Sequence, residues 1–244
     1  MDLSASARAL SIKASWDTRL ELRLAVHDAA HVLNTATLFR LARHESASIS
    51  RASVERWIKD ACAAKRLIKV VRGLYLNRMV SPAAELYEAA IWLRSSCVVS
   101  LQTVLGDSGV WNNYTNISTA VVPFSTKGPR PSLGKKLTRA GEFQFRGMPE
   151  EILNAGAEND RLEDVTGYLR ATPEAAFMHW LYLARSPHSN LASPPIDVDL
   201  EELSVSRLRR LAKSMEMTGE LESWMRAKRQ HDASQSVAEQ TWIP

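Results

Sequence analysis

The sequence is short of the groups that mark metalloproteins, secreted proteins and the common nucleotide-binding enzymes. It has two cysteines, Cys62 and Cys97, with no partner at ligand spacing. That excludes a zinc ribbon or finger and points to two reduced thiols packed in apolar surroundings. No apolar run approaches the roughly 20 residues that bridge a bilayer. The opening, Met1–Trp16, mixes Ser, Ala and charge without the apolar stretch of a secretory leader. A cytoplasmic location with no membrane partner is therefore expected. Glycine is scarce, at 10 residues. Gly106-Asp107-Ser108-Gly109 lacks the lysine of a phosphate loop and reads as a turn. No Gly-x-Ser-x-Gly elbow occurs.

Two carboxylate or imidazole pairs invite a metal reading, and both have simpler explanations. Asp197-Val198-Asp199 could ligate a cation as in transferases. Asp199 is better explained as the start of a capping box with Glu202. His27 and His31 stand four residues apart, as zinc ligands on one helix face do, but no third ligand is evident. No metal, cofactor or catalytic residue is expected, and the chain is read as a non-enzyme.

What is present is an uneven distribution of charge. The net charge is +4, yet residues 1–80 carry 14 Lys/Arg against 7 Asp/Glu, and the remainder 17 against 20. A basic first third beside a slightly acidic remainder suits contact with a polyanion.

The same third has a recognisable order of elements. Leu22, Val26, Ala29, Ala30 and Leu33 predict an amphipathic helix over 20–33. A shorter helix is expected over 37–44, then a polar turn. Ser50 is a suitable N-cap for a third helix over about 51–63, where Val54, Trp57, Ile58 and Ala61 form an apolar stripe. Arg66 to Asn77 then reads as a hairpin turning at Arg72-Gly73.

Helix, short helix, turn, helix and basic hairpin, centred on about 35–78, is the order of a winged helix-turn-helix. The third helix would enter the major groove with Arg51, Ser53, Arg56 and Lys59 as readers. Lys65, Arg66, Lys69 and Arg72 would hold the backbone. Trp57 belongs to the core stripe, whereas Tyr75 could lie against the helix or the DNA.

Beyond Ser81-Pro82, a second domain is expected over about 81–230, with a frayed tail at 231–244. Helices are predicted over 83–94, 97–105, 173–183, 203–217 and 221–228. A strand is predicted at 119–124, with one or two more within 137–146. Thr172-Pro173-Glu174 carries an N-cap, a first-turn proline and an acid suited to a helix start. Lys127, Arg130, Lys135, Lys136, Arg139 and Arg146 make a second basic stretch with Glu142 as its one acid. This stretch reads as a solvated loop and hairpin edge, the alternative being contact with nucleic acid. The fold class is α+β: a winged helix-turn-helix followed by a mixed α/β domain.

Three segments resemble the AbiEi-type antitoxins of bacterial abortive-infection, or type IV toxin–antitoxin, systems. Lys65–Asn77, with Arg72-Gly73-Leu74-Tyr75 at its centre, resembles that family's hairpin. Tyr168–Ala176, containing Ala171-Thr172-Pro173-Glu174, is similar to its strand-to-helix segment. Val98–Leu105 is a weaker match to the helix after the hairpin. The family's usual acid after this second segment is missing from Ala176-Phe177-Met178-His179-Trp180. The resemblance implies a repressor that binds inverted repeats in its own promoter. It also implies an antitoxin-like second domain that counteracts a nucleotidyltransferase-like toxin, with or without direct contact. Two other readings stand beside it: a ligand-responsive repressor, and a nucleic-acid-processing enzyme targeted by the winged domain.

Overall fold

The computed structural model describes residues 14–112 and 116–240 of an α+β chain. Most of the Ser- and Ala-rich opening and the last four residues of the expected tail lie outside these limits. The chain divides into two compact units. The first runs through Ala89 and includes Leu137–Gly141, and the second comprises Ala90–Lys136 and the chain from Glu142.

In the first unit, α1 (Trp16–Leu24), α2 (Thr35–Glu45) and α3 (Arg51–Ala63) accompany a sheet of β1 (Val32–Asn34), β2 (Leu67–Val71) and β3 (Leu74–Asn77). The sheet order is β1-β3-β2. Leu20 and Leu24 of α1, Leu38 and Ala42 of α2, and Val54, Trp57, Ile58 and Ala61 of α3 share one core with Leu33, Leu67 and Tyr75. The expected helix over 20–33 is corrected here. It stops at Leu24, and Val32–Asn34 pairs antiparallel with β3, Leu33 opposite Tyr75. The strand prevails because it gains ladder hydrogen bonds, and because the buried Asn77 takes over carbonyls that a longer helix would have used. Its Nδ2 donates to Leu24 O at 2.8 Å and Ala30 O at 3.2 Å. Asn34 then caps α2, accepting from Thr37 N–H.

The boundary falls at Ala89, later than the Ser81-Pro82 expected, because the intervening chain packs on the first unit. Arg78 Nη1 donates to Ala84 O at 2.6 Å, and His31 Nδ1 lies 2.7 Å from Glu88 Oε2. Tyr75 is buried and packs into the same core as the helices.

The second unit is built on a five-stranded sheet in the order β6-β7-β5-β4-β8. Its strands are β4 (Val98–Val99), β5 (Ile117–Phe124), β6 (Gly134–Leu137), β7 (Glu142–Pro149) and β8 (Leu169–Arg170). β5 and β7 run parallel in register from Ile117 opposite Glu142 to Phe124 opposite Pro149. Phe143 and Phe145 of β7 are fully buried, their rings stacked at 5.8 Å.

The helices are α4 (Ala90–Leu93), α5 (Gln102–Asp107), α6 (Glu150–Leu153), α7 (Glu158–Arg161), α8 (Pro173–Arg185), α9 (Val205–Ser214) and α10 (Thr218–Gln240). The middle of α8 is buried on all sides, as Phe177, Met178, His179 and Trp180 show in succession. Thr172 caps α8 as expected, accepting from Ala175 N–H at 3.2 Å.

Four expectations for the chain beyond Ser81-Pro82 change. A short 3₁₀ turn at Leu86–Ala89 and α4 replace a single helix over 83–94. The helix over 97–105 gives way to β4, then a turn at Leu101 with φ 61°, then α5, since Val98 and Val99 pair with both β5 and β8. Asp199 makes no capping box. Its Oδ1 accepts from Glu201 N–H at 2.9 Å, while Ser204 caps α9. The helix α10 continues to Gln240, where a tail frayed from His231 was expected, with a Lys228–Asp232 ion pair of 2.8 Å along it.

Candidate nucleic-acid interface

The residues singled out by charge lie on α3 and the β2–β3 hairpin, and the stripe that anchors α3 determines which of them face outward. Val54, Trp57, Ile58 and Ala61 hold one side in the core. Trp57 is fixed further by its indole N–H, which donates to Glu21 Oε1 at 3.1 Å. Arg51, Arg56 and Lys59 are thereby left exposed along the other side.

Arg51 Nε pairs with Glu55 Oε1 at 2.9 Å, an exposed i,i+4 pair worth about 0.3–0.5 kcal/mol that an incoming phosphate could displace. Arg56 and Lys59 have no hydrogen-bond or ion-pair partner among the described residues. Ser53 sits half-buried in the first turn. Its N–H donates to Ser50 Oγ at 3.1 Å, and the two hydroxyls are 2.9 Å apart. Its geometry is that of a helix start more than of an extended reader.

Lys65 closes α3. Lys65 N–H donates to Cys62 O at 3.1 Å and Arg66 N–H to Ala61 O at 2.9 Å, the paired bonds of a Schellman end. This geometry puts Lys65 at φ 58°, a position at which glycine is the usual residue. A lysine there carries a backbone cost, so Lys65→Gly is expected to raise stability by about 0.5–1 kcal/mol in chemical denaturation. An unchanged or lower stability would show that the lysine side chain contributes to the fold.

Arg66 is in a different situation. Its guanidinium pairs with Glu21, the carboxylate that also holds Trp57. Arg66 thereby links α1 to the start of the hairpin, with 36% of its side chain exposed.

The hairpin turns at Gly73, φ 80°, whose carbonyl accepts from Thr35 N–H at 3.0 Å and so joins the turn to α2. Arg72 is exposed at the tip and Lys69 is half-buried along β2. The register slips between Lys69 and Val71, leaving Val70 outside the pairing with β3. Its carbonyl accepts instead from Arg139 N–H at 3.1 Å, so Leu137–Gly141 lies against the hairpin within the first unit. Separation along the chain hid this neighbour from the sequence reading. On α2, the exposed Arg43 stands 5.8 Å over the Phe39 ring.

The second basic stretch is dispersed. Lys135 pairs with Glu142 at 2.8 Å, and Arg146 Nη1 donates to Asn190 Oδ1 at 3.4 Å. His27 and His31 share no helix face, because the chain there forms turns. Among the described residues no group of three His, Cys, Asp or Glu is placed to hold a metal ion, and no helix is long and apolar enough to cross a membrane.

No protein-family model matches the chain, and no curated protein matches it. Among solved structures, the RV2827C protein from Mycobacterium tuberculosis is similar. The two are 18% identical, the likeness covers 82% of this chain and 72% of that one, and the TM-score is 0.49.

Proposed function

We propose that the first unit is a winged helix-turn-helix that binds duplex DNA, and that the protein is an autoregulating repressor of the AbiEi antitoxin type. The observation that carries the DNA reading is the outward side of α3. Arg56 and Lys59 stand exposed and unpaired there, Arg51 is held only by a surface pair, and a hairpin with Lys69 and Arg72 follows directly. A helix of this width fits the major groove, and a basic hairpin beside it suits the phosphates on the flank.

The antitoxin part rests on the resemblance of Lys65–Asn77, Val98–Leu105 and Tyr168–Ala176 to that family. On this reading the second unit counteracts a nucleotidyltransferase-like toxin, and the promoter target consists of inverted repeats.

The test is a gel shift on the DNA upstream of the protein's own gene, with scrambled competitor, at two salt concentrations. Arg51→Ala and Arg56→Ala are each expected to weaken specific binding by about 1–3 kcal/mol. Lys69→Ala and Arg72→Ala are expected to weaken all DNA equally and to lower the salt slope. Unchanged binding in all four variants would remove the recognition-helix assignment. If DNA binding holds, co-expression with the neighbouring toxin gene tests the antitoxin role. Toxicity undiminished by this protein would overturn it.

A further inference from the structure

The turn that closes the β6–β7 connection lies far from the hairpin in sequence and beside it in space. Its backbone is tightly tied. Thr138 N–H and Oγ1 both donate to Gly141 O, at 2.9 and 2.6 Å, and Thr138 Oγ1 accepts from Ala140 N–H at 3.2 Å and Gly141 N–H at 3.1 Å. Gly141, at φ 153°, approaches so closely that a Cβ would stand 2.5 Å from a Leu86 methyl. The turn meets the hairpin where β2 has a carbonyl to spare, since β2 is the edge of the β1-β3-β2 sheet and Val70 is skipped in its register. Arg139 N–H fills that acceptor at 3.1 Å.

With its N–H committed, Arg139 keeps its guanidinium outward. The side chain is exposed and has no partner among the described residues. Glu142, the nearest acid along the chain, is already paired with Lys135. Lys69 precedes Val70 and Arg72 stands two residues beyond it, so the Arg139 backbone is bonded to the same stretch of chain that carries two further cations. Like charges on neighbouring stretches of backbone repel where salt does not screen them. The arrangement places fixed positive charge where a phosphate strand can offset it, and a guanidinium can hold a phosphate by two parallel bonds.

We propose that Arg139 is a DNA-backbone contact, delivered by the Thr138–Gly141 turn to the edge of the hairpin to form one clamp with Lys69 and Arg72. The inference rests on the DNA reading above and adds to it a contact from outside the helix and hairpin. The contact is electrostatic and independent of sequence. It contributes to binding of operator and scrambled duplex alike.

The test uses the full chain and fluorescence anisotropy on two labelled duplexes, the upstream DNA and its scrambled counterpart, across a salt series. Arg139→Ala leaves the N–H to Val70 in place, so the thermal unfolding midpoint should match that of the parent. It is expected to weaken both duplexes equally, by roughly 5- to 10-fold near 0.1 M salt, and to reduce the slope of log K against log salt by about 0.9. Arg139→Lys should recover most of the slope. If Arg72→Ala and Lys69→Ala show these losses while Arg139→Ala binds like the parent, the clamp is wrong and the DNA reading stands. If Arg139→Ala affects the upstream duplex alone, the residue reads bases and the clamp is equally wrong. If no variant on either element alters binding, the DNA reading itself fails and takes the clamp with it.

Discussion

Arg207→Ala is expected to destabilise the second unit by about 3–5 kcal/mol, and Glu174→Ala by only about 2–3 kcal/mol. The two residues form one ion pair, Arg207 Nη1 to Glu174 Oε2 at 3.0 Å, but they are buried unequally, with 35% of the arginine side chain exposed against 5% of the glutamate. Removing the arginine strands a carboxylate in the interior. Its other oxygen still accepts from Ser204 N–H at 2.9 Å, which offsets part of the cost. Removing the glutamate leaves a guanidinium that reaches solvent and keeps Asp160 at 3.5 Å. The chain also loses the acceptor that ties the start of α9 to α8. Chemical denaturation followed by circular dichroism measures both losses. A cost for Glu174→Ala equal to or above that for Arg207→Ala would contradict the asymmetry.

Stability is expected to fall on mild acidification, because of His179. The imidazole is buried in α8, its Nδ1 2.8 Å from Ser100 Oγ. Burial holds its pKa down to about 3, and the Arg161 charge pushes in the same direction. In the unfolded chain the group titrates near 6.5. Between these values the unfolded state binds the extra proton, so the contribution of a neutral His179 is complete above pH 6.5 and is lost as pH falls. The slope is about 1.4 kcal/mol per pH unit, or roughly 2 kcal/mol lost at pH 5. Asp160 adds to the acid side below its ordinary range. Its hydrogen bond to Arg210 lowers its pKa, so that pair weakens only once the carboxylate is protonated. Denaturation midpoints at pH 7.5, 6 and 5 should decline for the parent and stay nearly level for His179→Gln. Equal slopes in the two proteins would count against a buried neutral imidazole.

The parts legible in the sequence were those decided within one turn or one strand. The stripe Val54, Trp57, Ile58, Ala61 placed α3 and its core side, and Arg72-Gly73 placed the hairpin turn, because periodicity and a positive φ are local properties. The Thr172-Pro173-Glu174 signal was read correctly as a helix start. The structure adds that Glu174 also joins that helix to α9, so this stretch has a structural explanation of its own.

The misreadings share another cause. Val32–Asn34 and Val98–Val99 sit in segments with helical spacing, and each became a strand because a sheet edge elsewhere in the chain offered pairing. The carboxylate partner of Arg66 went unseen because Glu21 lies 45 residues away. The bond from Arg139 N–H to the Val70 carbonyl was equally hidden, because nothing local points to it. Pairings between distant segments leave no periodic trace.

The first unit is discontinuous along the chain, and this sets an order of events during synthesis. Its residues through Ala89 leave the ribosome well before Leu137–Gly141. At 5–20 residues per second, the interval is roughly 2–10 s. Throughout it the Val70 carbonyl lacks the partner it has in the finished protein, and the β2 edge is open to another strand. Neighbouring nascent chains on one messenger therefore meet with this edge uncovered. A fragment ending at residue 89 would retain that state permanently, and pairing between copies is its expected fate.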